Sequence, residues 1–176
     1  MRNNILQLLA LALAFAGCGG SVTAMAADAP EFTHSAANEW INSAPLKLAD
    51  LRGTVVLIEF WTFDCYNCRN TLPWLKAMHA DYAARGLKVV SVHTPELPQE
   101  REPDNVRAAV KELGIEYPVM LDADFSYWRA LNNRYWPAFY LVGRDGRIVL
   151  TAFGELHRGT QRGDEMEARI VKLLAR

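Results

Sequence analysis

The feature that most constrains this chain is the run Val55-Val56-Leu57-Ile58-Glu59-Phe60-Trp61, apolar on both faces except for one carboxyl, and followed by Cys65 and Cys68. A strand that does not alternate must be covered on both sides, so it belongs in the middle of a sheet between layers of helix. Where it ends, Cys65 opens a helix. There the first backbone N–H groups lack partners and the helix dipole is positive, which stabilises a thiolate over a thiol. Cys68 lies one turn further on, close enough to close a disulfide with it, and the pair can cycle between dithiol and disulfide. The loop so closed is too short to add much chain-entropy stabilisation, so the pair reads as chemical rather than structural. The chemistry is thiol–disulfide exchange.

With 176 residues, 51% of them apolar, the chain can bury one sizeable core, which implies a single domain plus an N-terminal extension. A net charge of −1 with dispersed Lys and Arg leaves no basic field for nucleic acid. Residues 1–26 read as a signal peptide, with Arg2 as its positive start and Ile5 to Phe15 as its apolar run. Two cleavage logics compete. Ala24-Met25-Ala26 fits cleavage after Ala26, whereas Phe15-Ala16-Gly17-Cys18 resembles a lipoprotein box, in which Cys18 is lipidated and anchors the mature protein. An uncleaved membrane anchor is the third reading. All three put the domain in the periplasm or another extracytoplasmic space.

Residues 27–44 form a polar lead-in with Phe32, Trp40 and Ile41 as its packing residues. Leu46, Leu48 and Leu51 suggest a short edge strand ahead of the central one. Helical spacing of Leu72, Leu75, Met78, His79 and Tyr82 predicts a helix from about Tyr66 to Ala84, with Pro73 inside it. Leu87 to His93 is a buried strand, Thr94 to Pro103 a loop, and Asn105 to Leu113 a helix. Tyr117 to Leu121 is a short strand and Phe125 to Asn132 a short helix. Ala138 to Val142 and Arg147 to Ala152 form a hairpin across Arg144-Asp145-Gly146, and Arg162 to Leu174 closes the chain as a helix. Right-handed crossovers make the strands of the first half parallel, with the cysteines at the carboxyl edge of the sheet.

Glu59 is the second candidate, because a carboxylate in a buried strand is costly unless paired or neutral. Burial raises its pKa, which suits it to accept the proton of Cys68. The competing reading is a core acid paired with a lysine such as Lys88. Trp136-Pro137 precedes a strand where a proline is unusual. A cis bond there folds the loop against the dithiol and leaves the Trp136 backbone free to pair with an extended substrate; the alternative is an ordinary trans proline. Trp61 and Trp74 either line the site or belong to the core, and His93 either moves protons or is a satisfied structural histidine. Asp64 raises and Arg69 lowers the Cys65 pKa. No metal or cofactor is expected: a zinc site needs two further ligands, and His79, His93 and His157 offer no second paired motif.

Phe60-Trp61 ahead of the cysteine pair, Glu59 in the strand and Trp136-Pro137 before a hairpin resemble the thioredoxin superfamily. Val92-His93-Thr94-Pro95-Glu96, Tyr135-Trp136-Pro137-Ala138 and Gly154-Glu155 are similar to its TlpA-like, DipZ-type extracytoplasmic branch. The resemblance covers about Pro45 to Leu174. It implies an α/β thioredoxin fold over residues 45–176, a central mixed sheet flanked by helices, with Pro137 in cis, Cys65 attacking and Cys68 resolving. Phe63-Asp64 and Tyr66-Asn67 depart from thioredoxin itself, so the direction of electron flow does not carry over. The expected function is an exported thiol–disulfide oxidoreductase that reduces disulfides of exported proteins and is recharged by a membrane electron donor. Trp136, Pro137 and Trp61 are its expected substrate-binding residues. A thiol peroxidase, suggested by Thr62 three residues before Cys65 but opposed by Ile58 where proline is wanted, and a copper-delivery module using the thiolates as ligands are the alternatives.

Overall fold

A computed structural model describes residues 27–175. The expected signal peptide and Cys18 lie outside the described residues. The elements are β1 (Trp40–Ile41), β2 (Val55–Trp61), α1 (Tyr66–Tyr82), β3 (Leu87–His93), α2 (Pro103–Glu112), β4 (Val119–Leu121), α3 (Ser126–Ala130), β5 (Ala138–Val142), β6 (Ile148–Phe153) and α4 (Gln161–Leu174). They build one mixed sheet in the order β1-β4-β3-β2-β5-β6. β2, β3 and β4 are parallel neighbours, and β1, β5 and β6 join antiparallel. This is the thioredoxin arrangement.

Every position of β2 is buried, and its two faces feed two separate layers. Val55, Leu57 and Trp61 meet α1, α2 and α4 through residues such as Leu75, Met78, Val106, Val110, Met166 and Ile170. Val56, Ile58 and Phe60 meet α3, Phe32, Trp40 and Leu48. The second layer thus draws on residues ahead of the sheet's central strands. Gly86, at φ +100°, lets the chain leave α1 for β3, and Gly146, at φ +75°, closes the β5–β6 hairpin on the expected Asp-Gly step.

The start of the chain departs from expectation. Leu48–Leu51 is a 3-10 turn rather than an edge strand, and Trp40–Ile41 takes the edge beside β4. The Glu31 carboxylate accepts the backbone N–H groups of Leu48 and Ala49, which closes that turn, and only Leu48 of the three leucines is fully buried. Asp28 bridges to Arg147 at the opposite edge, beside β6.

Asp122, just past β4, ties these pieces together. It is fully buried and accepts hydrogen bonds from Tyr127 N (2.9 Å), Trp128 N (3.0 Å) and Thr94 Oγ1 (3.0 Å), with His34 Nε2 at 3.3 Å. Burial works against charge on His34, but its hydrogen bonds to Glu39 and Asp122 outweigh burial and raise its pKa. Among the described residues, no helix is long and apolar enough to cross a membrane. Replacing Asp122 by Ala strands the buried Tyr127 N–H and the part-buried Trp128 N–H, so Asp122→Ala is expected to cost about 3 kcal/mol in urea unfolding.

Candidate active site

Cys65 is the N-cap of α1, and its sulfur accepts a hydrogen bond from Cys68 N at 3.2 Å. Cys65 and Cys68 are joined in a disulfide with a Cα separation of 5.3 Å. The two are unequal: Cys65 is partly exposed, whereas Cys68 is 2% exposed and belongs to the core beneath the helix. Tyr66, between them, is 75% exposed, which leaves the approach to Cys65 open. The helix is anchored at its second turn, where Thr71 Oγ1 donates to Leu156 O (2.9 Å) and accepts from Leu156 N (2.6 Å). Asn70 donates to Glu155 at 3.2 Å, so the Gly154-Glu155 segment braces the redox helix.

Glu59 lies between Leu57 and Trp61 on the face of β2 that carries α1, and is buried. Its partner is Ser91, directly opposite in the parallel register, whose Oγ donates to Glu59 Oε2 at 2.5 Å. The pairing with Lys88 does not form, because Lys88 stands opposite Val56 and points to the other face. With a single hydroxyl to offset desolvation, burial pushes the Glu59 carboxyl up to about 8.

The Trp136-Pro137 bond is cis. Ala138 pairs with Phe60, so β5 begins where β2 ends and the proline loop stands at the same sheet edge as the cysteines. Trp136 Nε1 donates to Thr94 O (3.0 Å), and its ring packs at a tilt against Trp128 with centroids 4.2 Å apart. Pro137 O accepts from Gly154 N at 2.8 Å, while Trp136 makes no backbone hydrogen bond among the described residues. Trp61, expected to contact substrate, is instead interior: it is 3% exposed, with its ring edge-on to His93, and offers a substrate no surface. Trp74 is likewise in the core, against Phe139. His93 is buried with Nε2 3.3 Å from Thr62 Oγ1, and burial lowers its pKa to about 4, so it stays neutral.

The residue not anticipated is Glu100. It lies in the loop after β3, is 1% exposed, and accepts from Asp64 N (3.0 Å), Glu96 N (2.7 Å) and Leu97 N (2.7 Å). Its one trace in the sequence is an acid in a Pro- and Glu-rich loop, where solvated glutamates are the norm. Among the described residues, the group with metal-ligand proximity is His34, Asp122 and Asp124. Asp122 there is committed to backbone N–H groups, so the cluster works as a tether for the lead-in.

Residues 25–151 match the model of the AhpC/TSA family. Protein DipZ of Mycobacterium tuberculosis is 42% identical over 119 residues, which are 66% of this chain but 17% of that protein, so the chain spans about a sixth of that relative's length. Thiol-disulfide oxidoreductase ResA of Bacillus subtilis is 26% identical over 89% of this chain and 85% of its own length. The crystal structure of a thiol:disulfide interchange protein DsbE from Chlorobium tepidum superposes with a TM-score of 0.71, at 25% identity over 85% of this chain and 96% of that one.

A carboxyl with a folded pKa of about 8 makes stability fall with pH. The unfolded group ionises near pH 4.3, so between there and about pH 8 the unfolded chain has released a proton that the folded chain keeps. Stability is full below that window and is lost as pH rises through it. Urea unfolding of the oxidised protein should show this loss, and Glu59→Gln should abolish it, being the more stable protein at about pH 9 by roughly 3 kcal/mol.

Proposed function

The chain belongs to the AhpC/TSA family and is a TlpA-like member of the thioredoxin superfamily, and from that premise we propose that it is an exported thiol–disulfide oxidoreductase that reduces disulfides of exported proteins. The observation that carries the reading is the asymmetry of the pair. Cys65 is presented at a helix N-terminus where thiolate is favoured, and Cys68 is buried on the layer that holds Glu59.

Beginning from the dithiol, the Cys65 thiolate attacks one sulfur of the substrate disulfide, and the other sulfur leaves as a thiolate. The mixed disulfide is held with the substrate strand beside Trp136, whose backbone groups accept a pairing partner. Cys68 then gives its proton to ionised Glu59, and its thiolate attacks the Cys65 sulfur. The second substrate thiol leaves, the Cys65–Cys68 disulfide forms, and two electrons have passed to the substrate. A carboxyl with a pKa of about 8 suits this role, since it lies close to that of the thiol it deprotonates. A membrane electron donor returns the disulfide to dithiol. The signal peptide of residues 1–26, with or without a lipid on Cys18, supplies the extracytoplasmic address.

A thiol peroxidase is disfavoured by Thr62, whose buried hydroxyl turns to His93 rather than toward an incoming peroxide. A copper-delivery module is disfavoured by the burial of Cys68, which leaves only one sulfur accessible for ligand exchange.

Cys68→Ser should trap mixed disulfides with extracytoplasmic proteins on non-reducing gels, and Cys65→Ser should trap none; absence of adducts in the first variant would overturn the mechanism. Glu59→Gln should slow insulin reduction by about 10- to 100-fold near neutral pH while leaving the attack by Cys65 intact.

A further inference from the structure

We propose that Glu100 is the positioning residue that biases the Cys65–Cys68 couple toward reduction of its substrate, by holding a buried negative charge against the turn that presents Cys65. The proposal rests on the oxidoreductase reading and adds the residue that sets its direction.

The geometry is that of a clamp. One oxygen of Glu100 accepts from Asp64 N (3.0 Å), and the other accepts from Glu96 N and Leu97 N (2.7 Å each). A single carboxylate therefore joins the loop after β3 to the residue directly before Cys65. The turn is closed from within by Cys65 N donating to Thr62 O at 3.4 Å. Burial by itself raises the Glu100 pKa, but the Thr62 side chain and the N–H groups of Asp64, Leu97 and Glu96 outweigh it and hold the carboxyl below its ordinary value.

Among the described residues no Lys, Arg or His pairs with Glu100. His93, the imidazole closest to it in charge interaction, is neutral. Arg69 pairs outward with Glu112 at 3.5 Å, and the Asp64 carboxylate accepts from Gln99 at the surface. A fixed anion in a low-dielectric site acts over several ångströms. At Cys65 it opposes the helix N-terminus, because a thiolate there meets a like charge. The reduced, thiolate-bearing form is disfavoured relative to the disulfide, which makes the couple a better electron donor.

The test equilibrates the full chain with glutathione buffers, and separately follows the pH dependence of alkylation of the reduced protein. In Glu100→Gln the equilibrium constant should move about tenfold toward the dithiol, equivalent to about 30 mV, and the alkylation midpoint should move to lower pH. Glu100→Asp keeps the charge but withdraws it by one methylene, so it should show a smaller change of the same sign; it carries the test if the Gln variant does not fold. Unchanged constants and midpoints, a shift toward disulfide, or a shift in the Asp variant as large as or larger than that in the Gln variant would overturn the proposal, since Gln keeps the length of the side chain and Asp keeps its charge. A wild-type protein that fails to exchange with glutathione overturns the oxidoreductase reading instead, and the alkylation midpoints still decide the part played by Glu100.

Discussion

The rest of the structure depends on the burial of β2 from both sides. A strand with no solvent face imposes a helical layer on each flank, and the layer carrying α1 brings Cys68 down onto the face that holds Glu59. The same burial that makes the strand central makes the carboxyl in it hard to ionise, with only the Ser91 hydroxyl to ease it. Fold and proton chemistry thus share one physical cause. The cysteines gain from the place where this burial stops: the strand ends, the chain turns at Thr62 to Asp64, and the first turn of α1 offers Cys68 N to the sulfur of Cys65.

Around that turn, register does the assembling. β5 starts opposite Phe60, so the cis Trp136-Pro137 loop arrives at the edge where β2 delivers Cys65. β3 runs parallel to β2 and ends at His93, so the Thr94 carbonyl is in place for the Trp136 indole, and Glu100 follows closely enough to clamp Asp64. Thr94 in turn donates to Asp122, which anchors α3 and meets His34. The cis-proline loop, the redox turn and the lead-in are therefore linked through buried and part-buried hydrogen bonds, most of them between groups far apart in sequence.

The parts legible in advance were those where local pattern and tertiary role coincide. An unbroken apolar run reads as a central strand because burial on both faces is a property of the run itself, and β3 and β5 follow the expected limits for the same reason. The Leu46 to Leu51 stretch misled, because leucines near alternation also fit one turn of 3-10 helix, and the Glu31 carboxylate, distant in the chain, decides between the two. Lys88 was a reasonable partner for Glu59 by charge, yet a parallel register sets Glu59 against Ser91 and turns Lys88 to the opposite face. Trp61 is a similar case: its type suits a substrate rim, but β2 is covered on both faces through its last residue, so the ring lies in the core.

The sequence by itself determined the redox pair, the strand that presents it, the buried acid and the proline loop, since each is carried by residues close together in the chain. Only the tertiary structure decided what those groups touch. The depth of Cys68, the hydroxyl on Glu59, the Trp136 indole on the Thr94 carbonyl and the Glu100 carboxylate on the Asp64 N–H all come from strand register and loop closure, which no local pattern encodes. The strand and its cysteines present a dithiol; the groups packed around it are supplied largely by residues thirty or more positions away.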